Sequence, residues 1–275
     1  MIQGENMSSI GFIGAGNMAQ AIINGIIQAG QFAPADIMVS DINGDRIIDL
    51  SNMYGVTGVS NNTAIAQKAD IIVLSVKPQV MAGVLEEIKD SIKENSVVIS
   101  IAAGITINAI SKILGDAQVI RVMPNTPSLV SEGMSGLYSP NASDNTMQNA
   151  LKIFSAIGKA VIVGNEDLID AVTAISGSGP AYFFLLMEEM IKTAQKLGLP
   201  EDTATELVLQ TAKGASILAE IAQLNGESAE ELRRKVTSPG GTTEAAINTF
   251  KDGHIDKLVE KALTAAYDKS KKLSG

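Results

Sequence analysis

The sequence predicts an α/β chain in two parts. Residues 1–163 should form a mostly parallel sheet covered by helices, and residues 164–275 an all-helical domain. Three observations carry this. Up to about Val163, short continuous apolar runs alternate with helical stretches. Beyond Val163 no convincing strand appears, and apolar residues recur at the 3- and 4-residue spacing of helices. The chain has 275 residues, 45% of them hydrophobic. That length fits two domains more naturally than one, because single cores stop growing at roughly 250–300 residues.

The elements follow in order. Ile10–Ile13 is a buried strand bounded by glycine. Met18–Ala29 is a helix with Ala19, Ile22, Ile23, Ile26 and Ile27 on one face, ended by Gly30. Ile37–Ser40, Asp70–Leu74, Val97–Ile101 and Gln118–Val122 are further strands, with helices such as Val84–Ser91 and Thr106–Leu114 between them. Continuous apolar strands alternating with helices mean βαβ units and a parallel sheet covered on both faces. In the second part, 166–175, 180–197, 201–224, 229–236, 242–250 and 255–273 read as helices. Pro180 and Pro200 sit at or beside helix starts, where proline is tolerated. Ala181–Met187 is apolar almost all round its helix, so it must be buried on every side. Two arrangements would do this: an intertwined homodimer, or a central core helix within one chain.

Composition narrows the chemistry. There is no Cys, which removes disulfides, thiolate nucleophiles and Cys-bound metals. The single His, His254, falls in a turn before the last helix and reads as a solvated loop residue; no metal site is expected. Net charge is −9, which argues against a nucleic-acid partner. No apolar run is expected to approach the roughly 18 residues of a membrane span. Met1–Ser9 is polar and lacks the hydrophobic segment of a signal peptide, so the cytoplasm is the expected location; Met7 is an alternative start.

Four features point to ligands. First, Gly14-Ala15-Gly16-Asn17-Met18-Ala19 follows directly on the first strand and opens the first helix, the context that gives a G-x-G-x-x-G/A pattern meaning. Gly14 permits the tight turn, Gly16 lets backbone approach a pyrophosphate, and Ala19 allows close helix–strand packing. The helix N-terminus adds free N–H groups and a positive dipole end. This predicts a Rossmann domain binding a nicotinamide dinucleotide. Second, Asp41 ends the second strand. It either accepts hydrogen bonds from the adenosine ribose, tilting the coenzyme toward NADH over NADPH, or caps the next helix; nearby Arg46 would attract a 2′-phosphate. Third, Lys77-Pro78 and Ala102-Ala103-Gly104 lie at carboxyl ends of strands, where open α/β sheets bind ligands. Fourth, Ser176-Gly177-Ser178-Gly179-Pro180 and Ser238-Pro239-Gly240-Gly241-Thr242-Thr243 each precede a helix. Each is read either as a backbone site for a carboxylate or phosphate, or as ordinary capping. Asp167 and Asp170 are expected to serve a helix dipole. Glu188, Glu189, Arg233–Lys235 and Lys269–Lys272 are expected to be solvated surface.

Taken together, Gly11–Ala19, Val76–Pro78, Ser100–Gly104, Arg121–Pro127, Ser176–Ala181 and Thr237–Thr243 resemble the pyrroline-5-carboxylate reductase family, from Ile10 to nearly the C-terminus. The resemblance implies NAD(P)H-dependent reduction of 1-pyrroline-5-carboxylate to L-proline, the last step of proline biosynthesis. It implies a helical dimerisation domain, active sites at the homodimer interface, and assembly of dimers further, frequently into a decamer of five. It would place Gly14 to Ala19 at the pyrophosphate, with Ile13 also in the coenzyme site, and Asp41 and Asn62 by the adenosine ribose. Ser75, Val76, Lys77 and Pro78, with Ile101, Ala102 and Ala103, would line the groove toward the nicotinamide. Ser238, Gly240, Gly241, Thr242 and Thr243 would hold the substrate carboxylate and ring nitrogen, beside Ser176, Gly177, Ser178 and Gly179 of a partner chain. Thr243 would hydrogen-bond the nitrogen and help protonate it. Many relatives carry Ser, Thr or Arg where Asp41 stands, residues that suit a 2′-phosphate. β-Hydroxyacid dehydrogenases also pair a Rossmann domain with a helical one. They place a catalytic Lys where this chain has Phe183. A cofactor sensor without turnover, or a reductase of other cyclic imines, would share the coenzyme turn.

Overall fold

A computed structural model describes residues 9–274, so the alternative start at Met7 lies outside the described residues. The chain forms two compact units. One takes the chain up to Pro180 and again from Ala265; the other is Ala181–Thr264. The contacts thus divide the chain at 180/181, some way beyond the change of sequence character at 163/164.

The first unit runs β1 (Ile10–Ile13), α1 (Asn17–Gln28), β2 (Ile37–Ser40), α2 (Gly44–Tyr54), β3 (Thr57–Gly58), α3 (Asn62–Lys68), β4 (Ile71–Leu74), α4 (Met81–Ile88), β5 (Val97–Ser100), α5 (Ile107–Leu114), β6 (Gln118–Met123), β7 (Gly133–Tyr138), α6 (Asp144–Ser155), β8 (Gly158–Ile162) and α7 (Asp167–Val172). The sheet order is β3-β2-β1-β4-β5-β6-β7-β8. Every neighbouring pair is parallel except β6 and β7, which run antiparallel. All four residues of β1, β2, β4 and β5 are buried, which is why they read as unbroken apolar runs. On one face the core gathers Phe12, Ile22, Ile23, Ile26 and Phe154; on the other, Ile65, Ile72, Leu85, Val98 and Ile110. Each such side chain contributes about 1.5–3 kcal/mol on burial. The order reverses direction between β1 and β4, and ligands of open α/β sheets bind at the carboxyl ends of strands flanking that point.

The second unit is helical: α8 (Gly179–Lys196) from Ala181 onward, α9 (Glu201–Leu224), α10 (Ala229–Lys235), α11 (Thr242–Asp252) and the first turns of α12 (Ile255–Ser274). Within it only Ala204, Val208 and Ala222 are buried hydrophobics. Phe183, Phe184, Leu185 and Leu186 stand 63%, 60%, 59% and 50% exposed. Of the two arrangements open for Ala181–Met187, the single-chain core helix is therefore not the one seen. An apolar groove of about 450 Å³ runs beside Phe183, Leu186, Met190 and Val208. Contrary to the expectation of no membrane-length run, Asp167–Lys196 holds an 18-residue window of mean hydropathy 1.2, with only 22% of it buried. By length and composition it could cross a membrane; a second protein surface would cover it equally well.

Candidate active site

The loops at the carboxyl ends of β1, β2, β4 and β5 are drawn together by hydrogen bonds that continue the sheet ladder. Gly14 N donates to Ser40 O (2.8 Å), Ser75 N to Ile13 O (2.9 Å) and Ile101 N to Leu74 O (3.2 Å). Gly14 has φ +102°, a conformation L side chains rarely adopt, and a Cβ there would lie 2.7 Å from Ser75 O. The sharp turn expected of Gly14 is therefore present, and glycine is required for two separate reasons. Ser75 Oγ locks the turn from the other side by donating to Gly14 O (2.6 Å) and Ile13 O (3.0 Å). Ala19 is fully buried against the sheet, as close packing demands. Gly16 is exposed, with no atom within 4 Å of where its Cβ would point, and it is the N-cap of α1 with no side-chain cap. Asn17 and Met18 follow in the first turn of α1. The turn thus presents open backbone and uncommitted helix-start amides, a cradle suited to a pyrophosphate.

At the end of β2, Asp41 Oδ2 accepts from Ala15 N (2.6 Å) and Oδ1 from Asn43 N (2.8 Å). The cap of α2 is Asn43, whose side chain accepts from Asp45 N, so Asp41 does not serve as the helix cap. Its carboxylate is instead pinned to the glycine turn. Arg46 donates from Nε to Ala15 O (3.1 Å) and from Nη2 to Gln20 Oε1 (3.1 Å), which fixes the guanidinium beneath the same turn. Asn62 accepts from Ser40 Oγ (2.7 Å) and donates to Glu87 Oε2 (2.7 Å). Asp41 and Asn62 therefore flank the carboxyl end of β2.

Further along the crevice, Val76 is half-buried, Lys77 is exposed, and Pro78 opens a short 3₁₀ turn, Pro78–Val80. Ile101 is half-buried, Ala102 buried and Ala103 exposed. Small and apolar side chains here leave the β4 and β5 ends accessible, as a flat ring requires.

The segment Ser176–Gly179 differs from expectation. It is not a turn with free amides ahead of a helix. A π-helical turn, Thr173–Gly177, carries the helix on, and Ser178 N donates to Thr173 O (2.8 Å). Pro180, four residues past Ser176, has no N–H for the Ser176 carbonyl. Asn125 Nδ2 supplies the missing donor (3.1 Å to Ser176 O), while Asn125 Oδ1 accepts from Met134 N (2.8 Å). Asn125 is only 9% exposed. It was visible within the Arg121–Pro127 run, but its partner is 51 residues away and no sequence pattern points there. π-Turns within α-helices occur frequently at functional sites.

In the second unit, Ser238–Thr243 does form a helix start. Gly241 is the N-cap of α11 without a side-chain cap, and its N–H turns back to Ser238 O (3.0 Å). Thr242 and Thr243 are the first two helical residues, whose amides have no acceptor within their own helix. Thr242 is exposed and Thr243 half-buried. Glu244 Oε2 accepts from Gly240 N (2.8 Å), direct evidence that this backbone holds a carboxylate. His254 is exposed between α11 and α12, as expected, and no cluster of three or more potential metal ligands occurs among the described residues. Asp170 lies with Asp167 in the first turn of α7, as a helix-dipole role requires, and is in addition buried and paired with Arg121.

The chain is similar to known proteins over nearly its whole length. Residues 166–273 match a family model described as pyrroline-5-carboxylate reductase dimerisation, and residues 9–104 one described as NADP oxidoreductase, coenzyme F420-dependent. The curated pyrroline-5-carboxylate reductase of Pseudomonas aeruginosa is 45% identical over 268 residues, 96% of each chain. The solved pyrroline-5-carboxylate reductase of Coxiella burnetii superposes with TM-score 0.91 at 41% identity, covering 98% of this chain and 99% of that one. That of Plasmodium falciparum, solved with NADP bound, gives 0.86 at 30% identity, covering 99% and 100%.

Proposed function

The chain belongs to the pyrroline-5-carboxylate reductase family and catalyses the last step of proline biosynthesis; on that premise we propose how its own residues divide the work. The observation that carries the coenzyme assignment is Asp41, whose carboxylate is fixed 2.6 Å from Ala15 N at the end of β2. There it can accept from both ribose hydroxyls and repel a 2′-phosphate, so NADH is the preferred coenzyme. Gly14 to Ala19 hold the pyrophosphate, and Ile13 backs the turn from the end of β1. Asn62 completes the ribose site, with its amide oriented by Ser40 and Glu87. Ser75–Pro78 and Ile101–Ala103 line the groove for the nicotinamide, which when reduced supplies a hydride.

The substrate is a cyclic imine, and once protonated on nitrogen it is a strong electrophile without a metal or a histidine. The protein's work is alignment, worth roughly 7–11 kcal/mol at best, and control of one proton. Backbone N–H groups of Gly240 and Thr242 hold the substrate carboxylate in the place Glu244 now occupies at Gly240, and Gly241, whose own N–H is turned to Ser238 O, lines the site. Thr243 Oγ1 hydrogen-bonds the ring nitrogen and helps protonate it, then accepts from the N–H of the protonated imine and so favours that form. Addition of hydride to the imine carbon then turns the C=N bond into C–N and returns a lone pair to nitrogen. Ser176–Gly179 of a second copy complete the pocket, and Ser238 borders it.

This reading assigns residues 1–163 to the dinucleotide domain and 164–275 to dimerisation and substrate binding. The start of the dimerisation match at residue 166 supports it. It makes the protein a homodimer that assembles into a decamer. The enzyme is then soluble and cytoplasmic, with α8 facing a second copy rather than lipid. The test is Thr243→Ala: kcat should fall at least tenfold while the NADH dissociation constant moves less than twofold. Unchanged turnover would remove Thr243 from the mechanism.

A further inference from the structure

We propose that the last turn of α12, Ser270–Ser274, is a latch that positions the Ile101–Gly104 loop of the coenzyme groove. Nothing in the sequence suggested a role for it beyond a charged tail. In the structure these turns belong to the first unit. Asp170, 5% exposed on α7, accepts from Ser270 Oγ (2.6 Å) and Ser274 Oγ (3.0 Å), two hydroxyls one helical turn apart. Arg121, 1% exposed, lies 3.7 Å from the same Asp170 oxygen and donates from Nη2 to Ser274 Oγ (3.1 Å). From Nη1 it donates to Glu166 Oε1 (3.0 Å). Glu166 Oε1 in turn accepts from Ile107 N (2.8 Å), the first residue of α5.

One polar network therefore joins the chain's last turn to the far end of the loop that follows β5. The near end of that loop is tied as well, because Arg121 is in register with Ser100, the residue before Ile101. The loop's middle is tied by shape. Gly104 is left-handed (φ +73°), and a Cβ on it would lie 2.9 Å from both Cβ and O of Leu273. The backbone of α12 thus rests directly on the loop. A buried Arg and a buried Asp are costly to hold when partners are missing, and Arg121 Nε already has none. Here two of the partners come from the last five described residues. Removing them frees the loop on which Ile101, Ala102 and Ala103 are carried.

The inference rests on the reading that these three residues line the coenzyme groove. The experiment uses the full chain carrying Ser270→Ala with Ser274→Ala, and titrates NADH by its fluorescence. The expected result is a five- to tenfold weaker NADH dissociation constant, with the KM for pyrroline-5-carboxylate at saturating NADH changed less than twofold. Ser270→Thr with Ser274→Thr, which keeps both hydroxyls, should restore binding. Ser274→Ala alone serves as a milder variant if the double one does not fold, with a two- to threefold loss expected. Unchanged NADH binding in folded protein overturns the latch. So does a parallel fall of both affinities with the melting temperature, which is the mark of general destabilisation. Ala103→Asp separates the two claims. If it leaves NADH binding intact, the groove reading itself fails. If it weakens binding while the serine variants do not, only the latch fails.

Discussion

Asp41→Asn removes one charge from the coenzyme crevice and leaves an oxygen in its place. In the native protein both carboxylate oxygens are engaged, by Ala15 N at 2.6 Å and Asn43 N at 2.8 Å. A hydrogen bond to a charged acceptor is worth about 1.5–3 kcal/mol, and one to a neutral acceptor about 0.5–1.5. Losing the charge, and one of the two acceptors, should cost about 1–2 kcal/mol of stability, or a few degrees in Tm. The effect on coenzyme choice is separate. Two unit charges about 4–6 Å apart repel by about 0.7–1 kcal/mol in water-like surroundings, and a phosphate carries about −1.5 to −2. Asp41 is partly exposed, so about 1–2 kcal/mol of discrimination against NADPH is expected, at the low end of the possible range. That is about 5- to 30-fold in the ratio of kcat/KM for NADH over NADPH. The assay follows loss of absorbance of each coenzyme in parallel, with pyrroline-5-carboxylate as acceptor, for native and variant enzyme. A native preference for NADPH, or an unchanged ratio in a variant whose Tm has fallen as expected, would refute the argument. Asp41 would then brace the glycine turn and do nothing more.

Two other changes follow from the geometry. Gly14→Ala forces a side chain into φ +102° and to 2.7 Å from Ser75 O. It should lower stability by about 1–3 kcal/mol from strain alone and weaken NADH binding, as read by thermal melting and fluorescence titration; an unaltered melting temperature would contradict the strain. Phe184→Glu places a charge on a helix face that a second copy should cover. The cost of burying an unpaired charge, about 3–5 kcal/mol, should shift sedimentation toward monomer and abolish activity, whereas a native-sized, active particle would mean that α8 faces no subunit.

The buried strands were legible because both faces of a parallel sheet are apolar, so Ile10–Ile13 and Ile71–Leu74 carry their burial in their composition. The strands that escaped reading are β3, β7 and β8. β3 has two residues, β7 reads GMSGLY with two glycines, and β8 is mostly exposed. Their strand state comes from the strands they pair with, not from their own residues. The glycine turn could be read because its geometry demands glycine locally. The π-turn at Thr173–Gly177 could not, because the Ser176 carbonyl that Pro180 leaves without a donor is satisfied by Asn125, 51 residues away.

Thus the sequence alone determined the dinucleotide turn, the two-part architecture, the family and the exclusion of thiol chemistry. These are properties of short segments, where residue type limits backbone conformation or available chemistry. Tertiary structure decided the fates of Asp41, Asp170 and the chain's last turn. A carboxylate reads the same in sequence whether it caps a helix, braces a turn or sits buried against an arginine. Only the fold sets which donors surround it: Ala15 N reaches Asp41 from 26 residues away, and Arg121 and Ser270 reach Asp170 from segments distant in the chain.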